Sequence, residues 1–366
     1  MELVTLAEGG VPLPGSDIVD DCYRIPALAV TASGRLLAAW DVRPDWRDLP
    51  GSFDLVLRAS DDGGRTWGPT RVIREGLPGH GFGDASLIAD PDSSRVWCWY
   101  AGSTGRSFFT ADAGPEGAGL ELWLAESSDD GETWTHRDLT TALKPGTATG
   151  MFAASGNGAV IDHEGGRRLL QPFVIRTVAE EHYAAIAHSD DLGQTWTLGD
   201  WVGPDCDENK VVGVPGGGVL LHARARPRRR QAWSSDGVAY GSPEPAPELV
   251  DPACNGGLAV WGEHLVCTLL DDPTQRRRVG LRLSSDGGAS WSESVLIDAG
   301  AAGYSVCAEL ADGALGVLWE AGDYAALRFA RIEPAEVGRD GGAVTLVADP
   351  GVPGVAKPPE VQPDGP

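Results

Sequence analysis

Apolar residues in this chain come in short bursts. "CYRIPALAV" at 22 to 30, "DLVLRAS" at 54 to 60, "LELWLAES" at 120 to 127, "HYAAIAHS" at 182 to 189 and "VGLRLSS" at 279 to 285 each give a run or an alternation of strand length. Long stretches with helical spacing of apolar residues are hard to find, so the pattern predicts many short strands joined by tight turns.

One turn recurs after these strands. It reads "SDDGGRTW" at 60 to 67, "SSDDGETW" at 127 to 134, "SDDLGQTW" at 189 to 196 and "SSDGGASW" at 284 to 291, with a shorter "SSDGVAY" at 234 to 240. The aspartate (Asp62, Asp129, Asp191, Asp286) is placed to accept from backbone N–H groups two residues on, and glycine supplies the positive φ of a hairpin turn. The tryptophan (Trp67, Trp134, Trp196, Trp291) is expected to pack beneath the turn as an anchor. A unit repeated every roughly 40 to 70 residues marks a propeller, whose blades cannot bury their faces alone.

Composition supports this picture and narrows the function. With 50 Gly, 26 Pro and 13 Trp in 366 residues the chain is rich in turns and in large anchors. A net charge of -24 repels nucleic acid and anionic membranes over most of the surface, so a cationic cluster here is local and purposeful. No run reaches membrane-spanning length, and "MELVTLAEGGVPLPG" lacks the pattern of a signal peptide. The expectation is a cytoplasmic protein, or a secreted one if a leader has been removed. The six cysteines are scattered and expected to be free, buried thiols; the histidines show no metal-ligand spacing, so no metal or cofactor is expected. Residues 1 to 348 read as one domain, and "DPGVPGVAKPPEVQPDGP" at 349 to 366 as a loose tail.

The recurring turns are Asp boxes, S-x-D-x-G-x-[TS]-W, and resemble those of the sialidase (neuraminidase) superfamily. The resemblance implies an all-β, six-bladed β-propeller with the boxes on turns away from the active site. It also gives meaning to Arg24, a permanent cation inside an otherwise apolar run, which must have an anionic partner in the protein or in a ligand. "YRIP" resembles the motif that carries the first of three arginines clamping the carboxylate of a sialic acid. "CDENKVVGVPGGGVLLHARAR" is similar to the segment carrying a catalytic glutamate and the second arginine, which maps Glu208 and Arg224. In "TQRRRVGLRLSSDGG" spacing to the last box favours Arg276 as the third, with Arg278 the runner-up; strand alternation puts both on one face, opposite Arg277.

By the same resemblance Tyr304 in "AAGYSVCAEL" is the nucleophile and Glu208 the base that activates it. Chemistry agrees: an anomeric carbon bearing its own carboxylate repels a carboxylate nucleophile, and a neutral hydroxyl avoids that repulsion. In "WDVRPDWRDLPGS" Asp48 is the general acid/base, with Asp45 the alternative, and Arg43 resembles an arginine contacting ring hydroxyls. Asp84 and Phe82 in "GFGDASL" and Phe152 in "MFAASGNG" are candidates to line the glycan pocket. Glu320, ending the apolar run "LGVLWE", is the expected brace for Arg24. The resemblance thus implies a retaining exo-α-sialidase whose partner is a sialylated glycan. Two alternatives stand beside it: a glycosidase for a related, for example deaminated, nonulosonic acid, and a non-catalytic Asp-box propeller that binds a glycan or protein.

Overall fold

The computed structural model describes residues 1–337; the end of the expected domain at 348 and the tail at 349 to 366 lie outside them. The chain is a propeller of short-stranded sheets, as the apolar bursts predict, antiparallel but for the pairing of Gly156–Asn157 with Gly81–Ala89. Hydrogen bonding divides the strands into two four-stranded, two five-stranded and one seven-stranded sheet, not six separate blades. The cause is one long strand, Val295–Glu309, which pairs with Arg277–Ser284 along its first part and with Leu315–Ala321 along its second, fusing its neighbours into one sheet. Glu2–Glu8 joins the far edge of that sheet beside Ala326–Ile332, so the two ends of the described chain close the ring together.

Strands near the middle of each sheet are covered on both faces by the neighbouring sheets, and their sequences are continuous rather than alternating. Leu36–Arg43 is buried at every position, as expected for strands sandwiched between layers. The tryptophans of the turns do more than sit under them. Trp67 meets Phe329 edge to face at 5.3 Å, Trp196 meets Trp99 at 5.0 Å, and Trp291 lies 5.0 Å from His222, each on a different sheet. These rings bolt neighbouring sheets together, which a blade that cannot bury its own faces requires.

The four full boxes share one hydrogen-bond pattern, and it corrects the expected reach of the aspartate. Asp62, Asp129, Asp191 and Asp286 accept from residues four positions on, with the hydroxyls of Thr66, Thr133, Thr195 and Ser290 each at 2.6 Å. The leading serine caps the turn glycine, as in the 2.8 Å bond from the Gly64 N–H to Ser60 Oγ. Only the degraded turn at Asp236 accepts two residues on, from the Val238 N–H at 3.0 Å. All six cysteines are free and buried. Among the described residues no helix is long and apolar enough to cross a membrane.

Candidate active site

At the end of the sheets away from the Asp boxes lies a cavity of about 1070 Å³. Arg24, Asp48, Asp84, Phe152, Glu208, Arg224, Arg276 and Tyr304 all line it, although they are drawn from sequence positions 24 to 304. A second cavity, of about 580 Å³, is walled by Trp261, Leu283 and Val337 among others and carries no arginine. The chemistry is concentrated in the first.

Backbone irregularities aim these side chains. The pairing register shifts between Arg24 and Ala27, between Gly83 and Ser86, between Arg277 and Val279, and between Ala302 and Ser305. Such bulges bend a strand and turn a side chain out of its ordinary alternation. Ile25, Asp84 and Arg278 take φ values of 61°, 63° and 65°, uncommon for any side chain and an outlier for β-branched Ile25. Alternation therefore fails where it was applied: Arg276 and its neighbour Arg277 both face the cavity, while Arg278 does not.

Glu320 ties the first arginine to the tyrosine. It is fully buried; Oε1 accepts from Arg24 Nε at 3.3 Å and from the Ile25 N–H at 2.9 Å, and Oε2 accepts from the Tyr304 N–H at 2.8 Å. A Cβ on Gly303 would stand 2.0 Å from Glu320 Oε2, so the bond to the Tyr304 amide needs glycine there. Arg24 is held but not used up. Its Nη1 donates to the Trp46 carbonyl at 2.8 Å and to Asp48 Oδ1 at 3.1 Å, and its guanidinium lies 4.4 Å from the ring centre of Tyr324.

Tyr304 is the centre of the polar cluster. Its hydroxyl donates to Glu208 Oε2 at 2.5 Å and accepts from Arg224 Nη1 at 3.0 Å, and Arg224 Nη1 also reaches Glu208 Oε2 at 2.5 Å. Burial and then the Glu208 carboxylate push the hydroxyl well above the ordinary phenol range, against the pull of Arg224 and Arg276. The phenol is thus neutral at rest, with a carboxylate in contact with it. Arg276 donates to the Tyr324 hydroxyl at 2.9 Å and to the Ala253 carbonyl at 3.0 Å, with its guanidinium 5.6 Å from the Tyr304 ring centre.

Asp48 sits on the loop between Leu36–Arg43 and Asp54–Ser60, its side chain 72% exposed. Its carboxylate takes Arg43 Nη1 at 2.7 Å as well as Arg24. The withdrawal of neighbouring water opposes its charge, but the two guanidinia outweigh this and hold the carboxyl well below its usual range. Asp84, by contrast, is pushed well above it by burial and by the nearby Asp41 charge. Asp45 pairs with Arg47 at 3.0 Å and does not line the cavity.

Two candidates are placed differently from expectation. Arg43 is fully buried behind the cavity wall, where it binds Asp41 at 2.7 Å, Asp48 and Asp84, because three carboxylates already enclose its guanidinium. It positions Asp48 rather than presenting itself to a ligand. Phe82 is also fully buried, packed against His80, Tyr100 and Trp123 in the core between two sheets. Phe152 does line the cavity, with Phe108 5.1 Å away edge to face. Tyr324, Trp46, Phe108 and Asp207 were not singled out by the sequence; the only cue for Tyr324 was a tyrosine four residues beyond Glu320 in a hairpin turn.

The model of the BNR repeat-like domain matches residues 34–317, and the chain belongs to that family of propellers. The relatives found are sialidases. That of Micromonospora viridifaciens is 35% identical over 340 residues, 86% of this chain and 52% of the relative. That of Bacteroides fragilis is 28% identical over 327 residues, 81% of this chain and 60% of the relative. The chain therefore spans little more than half the length of these two proteins. Among solved structures, a Hadza microbial sialidase matches with a TM-score of 0.79 at 27% identity, over 86% of this chain and 66% of that one.

Proposed function

We propose that this chain is a retaining exo-α-sialidase that releases terminal sialic acid through a tyrosine-linked intermediate. The observation that carries the reading is the 2.5 Å bond from Tyr304 to Glu208 inside a cavity that also holds Arg24, Arg224 and Arg276. A neutral hydroxyl in contact with a carboxylate base, ringed by guanidinia, suits a substrate whose anomeric carbon carries a carboxylate. The sialidase names of the relatives support the same substrate class.

In the proposed reaction the three arginines hold the carboxylate. Glu208 takes the Tyr304 proton as the phenolic oxygen bonds to the anomeric carbon, and Asp48 gives its proton to the departing glycosidic oxygen. Water then attacks the same carbon, Asp48 recovers a proton from it, and the tyrosine oxygen leaves and takes back the proton on Glu208. Two displacements retain configuration. Asp48 needs a proton at the first step, and a carboxylate arriving at Arg24 competes with it for that guanidinium, which favours the protonated form.

The blade count belongs to the same reading. Taken as two blades sharing the strand Val295–Glu309, the seven-stranded sheet and the other four make a six-bladed ring. The test of function is direct: the purified protein is assayed with 4-methylumbelliferyl glycosides of N-acetylneuraminic acid, of its deaminated analogue and of glucose. Release from the first alone or preferentially supports the proposal. Preference for the second favours the related-nonulosonic-acid reading, and binding of sialosides without release would sink the hydrolase claim.

A further inference from the structure

Behind Glu208 lies a lysine that the reaction above does not use. Lys210 is fully buried, yet Nζ contacts only neutral acceptors: the Ser155 carbonyl, the Asn209 carbonyl at 3.4 Å and Asn255 Oδ1 at 2.8 Å. A buried ammonium without a carboxylate in contact is costly, and burial pulls this one down to about 7. Room has been made for it: Gly156 has φ +114°, and a Cβ there would come within 2.8 Å of Lys210 Cε.

The lysine connects to the site through one amide. Asn255, 3% exposed, accepts from Lys210 and donates its Nδ2 to Glu208 Oε1 at 3.4 Å, to the Ser155 carbonyl at 3.1 Å and to Ser155 Oγ at 3.0 Å. The two Glu208 oxygens are thus divided, Oε2 to Tyr304 and Arg224, Oε1 to Asn255. The ionisable groups acting on Lys210 are Glu208, Arg229 and the Cys307 thiol; those around Glu208 are Tyr304, Arg224, Asp84, Asp207 and Lys210 itself. Arg229 is matched by Asp251 at 3.3 Å. That leaves Lys210 as the buried cation behind Glu208 with no carboxylate at hydrogen-bond distance among the described residues.

We propose that Lys210 and Asn255 are positioning residues for Glu208: the lysine places a buried positive charge behind the carboxylate, and the asparagine a hydrogen bond that holds one oxygen turned to Tyr304. The proposal rests on the sialidase reading for its catalytic consequence, but the charge effect on Glu208 is independent of any substrate.

The test uses Lys210→Met and Asn255→Ala, with Asn255→Ser as the milder change should either fail to fold. The acid limb of kcat/KM, where a protonated base stops the reaction, moves to higher pH by about one unit in Lys210→Met and by less in Asn255→Ala. In parallel, carbon-13 NMR of the glutamate carboxyls in the ligand-free protein, with Glu208 assigned by its loss in Glu208→Gln, reads the same shift without substrate. An upward shift in the NMR titration supports the proposal even if the wild type releases no sialic acid, in which case only the sialidase reading fails. Glu208 titrating as in the wild type in folded Lys210→Met overturns it, whatever happens to kcat.

Discussion

Removing the Tyr304 hydroxyl separates the catalytic reading from a structural one. In Tyr304→Phe the ring stays and two hydrogen bonds go, to Glu208 at 2.5 Å and from Arg224 at 3.0 Å. Glu208 is not orphaned, because Arg224 at 2.5 Å and Asn255 at 3.4 Å remain. The stability cost is then that of losing hydrogen bonds to a charged partner, about 1–3 kcal/mol, and Tm falls by a few degrees. The catalytic cost is far larger if this oxygen attacks. Orienting a reactant group is worth on the order of 7–11 kcal/mol, part of which a water in the vacated space recovers; at 1.36 kcal/mol per decade, kcat falls by at least about 10³. Glu208→Gln, which keeps the shape and removes the base, loses about 10² to 10⁴. The assays are steady-state release of 4-methylumbelliferone, circular-dichroism melting and the affinity for a carboxylate inhibitor, which holds nearly constant. Mass spectrometry of protein treated with a 2,3-difluorinated sialic acid, whose fluorine slows breakdown of the adduct, should place it on the peptide containing Tyr304. A Tyr304→Phe enzyme retaining kcat within about tenfold, or an adduct elsewhere, refutes the reasoning.

Four further outcomes are expected. Glu320→Ala removes the buried carboxylate that accepts from Arg24 Nε and two backbone N–H groups, costing about 3–5 kcal/mol by urea denaturation, and lowers kcat because the same residue holds Tyr304. Trp196→Ala, which empties a site packed on Trp99, costs about 3–5 kcal/mol, and half-buried Trp134→Ala less; both keep full activity at a temperature where they are folded, since no box residue lines the cavity. Lys210, pulled down to about 7 in the fold, binds its proton more weakly there than in the unfolded chain; stability therefore rises with pH from about 7 towards the ordinary lysine range, and Lys210→Met removes that slope in urea titrations at successive pH values. Finally, a carboxylate inhibitor that takes Arg24 away from Asp48 should draw in a proton at acidic pH, read by calorimetry in two buffers of different ionisation enthalpy and lost in Asp48→Asn.

Arg24 and Glu320 were legible in the sequence because each sets a charge against an apolar run, where burial without a partner is costly; Glu208, Arg224 and Tyr304 were legible through the resemblance of their segments to those of the sialidases. The boxes were legible because their chemistry is local, a serine, an aspartate and a glycine satisfying one another within a few residues. The failures are non-local. Strand alternation could not separate Arg276 from Arg278, because the positive φ of Arg278 and the register shift beside it cancel the period of two. Phe82 was taken as an aromatic lining of the glycan pocket, but its ring meets Tyr100 and Trp123 from strands of the same sheet. Arg43 was taken for a ligand contact by resemblance; Asp41 lies on its own strand, but the local segment does not show that Asp84, from another sheet, helps to enclose its guanidinium. Lys210 and Asn255 are 45 positions apart, and nothing in "DENK" indicates that its lysine is joined to its glutamate through an amide from the loop that precedes Gly257–Trp261.

The distribution of partners among the arginines bears on the carboxylate ligand proposed for the cavity. Arg24 is matched by Glu320 and shared with Asp48, and Arg224 is matched by Glu208. Arg276 has no carboxylate partner among the described residues and rests on a phenol and a carbonyl. An incoming carboxylate therefore supplies Arg276 with the anion it lacks, whereas at Arg24 it must compete with Asp48. Those two events have opposite electrostatic effects on the protein: the first completes a pair, and the second deprives a carboxylate of half its support. In a chain of net charge -24, an anion is drawn to Arg276 and repelled by most of the remaining surface. In the proposed reaction, binding and acid catalysis would be coupled through one guanidinium, because Asp48, which that reaction requires to hold a proton, is the carboxylate that shares Arg24 with an incoming ligand.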